Sequence, residues 1–121
     1  MTRNILYSVP NGIVFIYDPN MIIDVPPDTG AGPILYTENC ISVWTAHEDD
    51  EQVELSISSE SEYIKEEIRF SGYIKSDSGK ISFNDSNVRE IISIDAIKGI
   101  NKIKVFSNDS FYPTKIKFIL N

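Results

Sequence analysis

The chain has 121 residues, with eighteen Asp and Glu against eleven Lys and Arg and a net charge of −7. At this length folding buries roughly two thirds of the unfolded surface, enough for one core and too little for two, so a single domain over residues 1–121 is expected. A 41% hydrophobic, 24% charged composition excludes the disordered and collagen-like classes. The acid excess argues against a nucleic-acid ligand, since a sequence-independent binder gains affinity by neutralising phosphates with clustered Lys and Arg.

The longest apolar run, Ile13-Val14-Phe15-Ile16-Tyr17, is far short of the roughly 20 residues of a membrane-spanning helix. No basic segment, apolar stretch and small-residue cleavage site occur in succession, so a soluble, unexported protein without membrane contact is expected. Cys40 is the only cysteine and His47 the only histidine. No intramolecular disulfide can form and no Cys/His set can hold zinc, which predicts a reducing cytoplasm and no cofactor.

Nearly every segment has a period of two, with β-branched and aromatic residues at the apolar positions, the mark of strands. Residues 5–9 and 12–17 flank Pro10-Asn11-Gly12, and Asn-Gly suits the positive φ angles of a tight hairpin turn, so these two strands are expected to pair. A short apolar run at 21–25 leads into residues 26–33, where three prolines and two glycines predict a loop. Residues 40–46 carry bulk on both faces, as a central strand does. Residues 52–58 alternate Val53, Leu55 and Ile57 with polar neighbours, and the spacing predicts that they pair with 40–46. Residues 58–62 are a polar connection. Further strands are expected around Ile68 to Ile74, Ile81 and Phe83, Ile92 and Ile94, Ile103 and Val105, and Ile116 to Leu120, with a turn at Asp77-Ser78-Gly79. Short strands with turns this close together predict an all-β, antiparallel sandwich of roughly eight to nine strands.

Charge placement says more than total charge. Residues 1–64 carry −10 with Arg3 as their one base, and residues 65–121 carry +3. Within the acidic half, Glu48, Asp49, Asp50 and Glu51 are consecutive and Glu54 follows three residues on, introduced by Trp44 and His47. At a hairpin tip these carboxylates form an exposed, rigidly presented anion. That anion could simply guard a sheet edge, could meet a basic partner, or could hold calcium with Asp18, Asp24 or Asp28 from a neighbouring loop.

Cys40 and His47 point apart by strand parity, and no nucleophile, phosphate-cradling or metal-binding motif is present, so no catalytic or metal residue is assigned. Cys40 is expected in the core and His47 in an exposed turn. Phe15, Phe70, Phe83 and Phe118 fall on apolar registers and are expected inside. Tyr17, Tyr36, Tyr73 and Tyr112 fall at strand ends or on polar registers, where a rigid ring with a polar tip either anchors a partner or, more ordinarily, caps the core.

Residues 72–108 carry a likeness to a known family: Gly79-Lys80-Ile81-Ser82-Phe83, an apolar strand at 91–94, and Ala96-Ile97-Lys98-Gly99 leading into Ile103-Lys104-Val105-Phe106. With the early strand at 12–18 and the proline-rich connection, the layout resembles the competence-protein-J family of DNA-entry nuclease inhibitors and, more broadly, immunity proteins of bacterial toxin systems. The chain departs from that pattern in lacking a second tryptophan near its end and in its basic last strand, Lys115 to Leu120. The resemblance implies a binding protein without chemistry of its own, and no site residue is carried over on it.

The expected function is therefore that of an inhibitor or immunity protein which neutralises a basic toxin, a nuclease before any other. Trp44, Tyr36, Glu48, Asp49, Asp50, Glu51 and Glu54 are its candidate contacts, and a monomer or weak dimer is expected. The alternatives are a calcium- or carbohydrate-binding sandwich and a self-associating structural or phage assembly domain.

Overall fold

The computed structural model describes residues 2–27, 30–59 and 64–121. Its strands are β1 (Thr2–Tyr7), β2 (Ile13–Tyr17), β3 (Ile34–Tyr36), β4 (Cys40–Trp44), β5 (Val53–Ser58), β6 (Glu67–Ser76), β7 (Lys80–Asp85), β8 (Glu90–Asp95), β9 (Gly99–Ser107) and β10 (Lys115–Leu120). They form two five-stranded sheets, ordered β1-β5-β10-β9-β6 and β3-β4-β2-β7-β8. The sandwich predicted from alternation is the observed architecture. All pairings are antiparallel except β5 with β10, which run parallel. Of the polar connection expected at 58–62, residues 60–62 lie outside the described residues, as do Asp28 and Tyr63.

Alternation reports which side of a strand is apolar and nothing about which sheet the strand joins, and three expectations fail on that distinction. The 5–9 and 12–17 segments do not pair. Asn11 and Gly12 do take positive φ angles, 60° and 63°, but within a short 3-10 turn that carries the chain from the first sheet to the second. Segments 40–46 and 52–58 also part, β4 pairing with β2 and β3 while β5 pairs with β1 and β10. The acidic turn between them is accordingly a corner joining the sheets and not a hairpin tip. The run at 21–25 forms no strand, whereas Ile34–Tyr36, inside no expected element, pairs with β4.

The core fills the space between the sheets with Val14, Ile16, Ile41, Val43, Ile81 and Phe83 from one side and Leu55, Ile57, Ile103, Val105, Ile116 and Phe118 from the other. Phe83 and Phe118 meet across it with ring centroids 4.9 Å apart, an aromatic pair contributing about 0.5–1.5 kcal/mol beyond its burial. Phe15 has the opposite parity to Val14 and Ile16 and is only half-buried on the outer side of the second sheet. Phe70 is half-buried against Tyr36, 5.0 Å between centroids. Tyr17, expected at a wet strand end, is buried. Its neighbours on that outer side, Cys40, Ser82 and Asn84, are buried too. On that side the chain leaving β2 is tied to the β3–β4 turn, the Asp24 N–H donating to Asn39 Oδ1 and the Thr37 hydroxyl to the Asp24 carbonyl, and the Trp44 N–H donates to the Pro33 carbonyl.

Two buried carboxylates tie distant segments together. Asp18, at the end of β2, accepts the Ser78 N–H and hydroxyl, the Ser76 hydroxyl and the Asn20 N–H, all within 2.8 Å. Asp85, at the end of β7, accepts the Tyr7 hydroxyl at 2.7 Å, linking the sheets, and the N–H groups of Asn87 and Arg89.

Candidate functional site

The corner begins where β4 ends. The Thr45 N–H donates to the Gly12 carbonyl at 2.8 Å and the Ala46 N–H to the Pro113 carbonyl at 3.0 Å. Three segments remote in sequence thus meet beneath the acidic run. The corner then closes on His47, whose carbonyl accepts the N–H groups of Asp50 and Glu51. Its Nδ1 accepts the Asp49 N–H at 3.2 Å and lies 3.5 Å from the Asp49 carboxylate. His47 is therefore exposed, as expected, and acts as a turn-former. Glu48, Asp49, Asp50 and Glu51 are all exposed. Among the described residues, no lysine or arginine pairs with any of the four.

Beside the carboxylates, Trp44, Asn11, His47, Asp50, Glu51 and Tyr112 line a shallow hollow of about 510 Å³. Trp44 forms a half-buried wall, and Tyr112 is 69% exposed. Tyr112 belongs to the β9–β10 loop, whose shape is built on two side chains. The Asp109 carboxylate accepts the N–H groups of Tyr112 and Phe111, and these bonds, Tyr112 first, lower its pKa. The Asn108 amide oxygen accepts the N–H groups of Thr114 and Lys115. The loop thereby presents two aromatic rings, Phe111 and Tyr112, at fixed positions. Parity marks Tyr112 as exposed, but its place beside residues 47–51 depends on the Ala46–Pro113 hydrogen bond, across 67 positions, which no local pattern carries.

Two of the seven candidate contacts lie elsewhere. Glu54, three residues beyond the run, turns onto the outer face of the first sheet, where it lines a hollow with Lys115 and Lys117. Burial lowers the Lys117 pKa and the Glu54 charge opposes that. Tyr36 sits at the far end of β4 from Trp44, paired with Ile41 and packed on Phe70. Trp44, Glu48, Asp49, Asp50 and Glu51 are the five the fold brings together.

The corner is not built as a metal site. Among the described residues, no three His, Cys, Asp or Glu side chains converge to hold a cation. Asp18 is buried, its oxygens occupied by the serines of the β6–β7 turn. Cys40 is buried in the β2–β4–β7 region, which pushes its thiol up to about 12 and leaves no thiolate for chemistry.

The architecture matches two solved structures over nearly their whole lengths. One is ComJ from Bacillus subtilis, an inhibitor of the DNA degrading activity of NucA, with a TM-score of 0.69, 11% identity, and coverage of 99% of this chain and 93% of that one. The chain has the ComJ fold. The second is the product of crocagin biosynthetic gene J, with a TM-score of 0.57, 9% identity, and coverage of 98% and 96%. The sequence matches no protein-family model and no curated protein. A shared fold does not fix a function, which resides in the surface chemistry a chain places on it. Among the described residues no helix is long and apolar enough to cross a membrane.

Proposed function

We propose that this chain is a cytoplasmic inhibitor, without catalytic activity, that binds a DNA-degrading nuclease and occludes it, as an immunity protein does for its toxin. The observation that carries this is a fixed corner of four consecutive, exposed carboxylates beside Trp44 and Tyr112, on the fold of a nuclease inhibitor. A nuclease groove is basic because it binds phosphates. A rigid anion complementary to it speeds association, repels competing acidic proteins, and needs no ordering on binding. The two rings supply the apolar anchors that such contacts require.

The test is capture. Protein immobilised on resin is mixed with lysate of the source cell, and the bound fraction is assayed for DNase activity before and after elution in high salt. The account expects activity that is masked on the resin and released by salt. It also expects Asp49→Lys with Asp50→Lys to abolish retention. DNase activity that passes unretained and uninhibited overturns the proposal.

A further inference from the structure

The net charge of −7 conceals a face of opposite sign. On the outer face of the first sheet, strand parity and register place Lys75 of β6, Lys102 and Lys104 of β9, and Lys115 and Lys117 of β10. The carboxylates Glu54 and Glu66 lie at the Lys115–Lys117 end. The other end is different. There a groove of about 710 Å³ is lined by Tyr73, Lys102, Lys104, Phe106, Ile119 and Asn121, with no Asp or Glu side chain among its described walls. Among the described residues, no ion pair engages Lys102 or Lys104.

Ring and ammonium groups are neighbours on this face. Tyr73 pairs across the ladder with Lys102, and Phe106 with Lys117, while Lys102, Lys104 and Phe106 follow one another on the same side of β9. Adjacent strands lie about 4.8 Å apart and alternate residues about 6.7 Å apart, so this face sets cations beside the exposed Tyr73 ring and the half-buried Phe106 ring. Tyr73 is 60% exposed, so its ring is open to a planar partner. A peptide carboxylate would use the lysines and leave the rings without planar partners. A duplex would use the lysines and keep its base faces stacked. A single strand uses both, its phosphates meeting the ammonium groups and its bases stacking on the rings.

We propose that this face binds single-stranded nucleic acid, with phosphates at Lys102 and Lys104 and bases on Tyr73 and Phe106. The site shares no residue with the inhibitor proposal, because the acidic corner and its hollow contain none of these side chains. Either proposal can fail alone.

The full-length protein is titrated against a fluorescein-labelled 20-mer of thymidylate by anisotropy, from about 20 to about 200 mM NaCl, and binding at low salt is expected with a log–log slope of about −0.7 per phosphate engaged. Lys102→Ala with Lys104→Ala should weaken binding about tenfold and flatten that slope, and Tyr73→Ala should weaken it several-fold with the slope unchanged. Thermal melting establishes that each variant is folded. An abasic oligomer of equal length should bind more weakly than thymidylate. The proposal is overturned by absence of binding at low salt, by equal binding of the abasic oligomer or polyglutamate, or by folded variants that bind as the parent does.

Discussion

Asn11 and Gly12 both hold positive φ angles, and at Gly12 a Cβ would come within 3.3 Å of the Thr45 carbonyl oxygen that begins the acidic corner. Gly12→Ala should therefore cost about 1–2 kcal/mol from the left-handed backbone. Denaturant unfolding reads this as a lower midpoint at unchanged slope. Asp18 and Asp85 decide a second residue-scale outcome. Burial on its own would raise both carboxyl pKa values. At Asp18 the Ser78 and Asn20 N–H groups and the two serine hydroxyls outweigh it, and at Asp85 the Tyr7 hydroxyl and the Arg89 and Asn87 N–H groups do so, leaving both lowered. A carboxylate with a lowered folded pKa contributes stability above its unfolded value, near 4, and loses it as pH falls through the folded value. The melting temperature should accordingly hold down to about pH 4 and drop below it, and Asp85→Asn should flatten that acid limb while lowering stability at neutral pH by about 1–3 kcal/mol. An acid limb unchanged in the variant would show that Asp85 contributes none of it.

At the scale of elements, alternation made most strands legible, as Val53-Leu55-Ile57 and Ile116-Phe118-Leu120 show. Their partners were not, because pairing is a long-range choice. β1 and β5 join across about fifty residues, and β5 meets β10 in parallel. The Asn-Gly turn chemistry was read correctly in its φ angles and wrongly in its consequence, since the same two residues can close a hairpin or turn a corner between sheets. β3, three residues long, is too short for a period to register. Of the site, the carboxylate run was legible as composition and its exposure as a turn. Tyr112 at its side was not, because it arrives on the β9–β10 loop, held by Asp109 and Asn108. Both rings stand clear of the core, so Tyr112→Ala should shift stability by less than about 0.5 kcal/mol. If Tyr112 anchors the partner, the same change should weaken nuclease capture about tenfold, the mark of an interface hot spot. Capture equal to the parent's would confine the contact to the carboxylates.

Across the whole molecule, charge is segregated. The corner concentrates four carboxylates where β4 crosses to β5, and the outer face of the first sheet collects five of the eleven basic residues. Net charge averages these away, and a partner at contact range meets a local field, because the Debye length in physiological salt is about 8 Å. The two share no residue, the corner lying where the chain crosses from β4 to β5 and the lysines on the outer face of the first sheet. The proposed inhibition of a nuclease by the charged corner is checked by measuring DNA cleavage by the captured nuclease with the parent protein and with Asp49→Lys plus Asp50→Lys, across a series of salt concentrations. Potent, salt-sensitive inhibition is expected of the parent, and in the folded variant a loss of at least tenfold with little remaining salt dependence. Equal inhibition by both proteins at every salt concentration would contradict it.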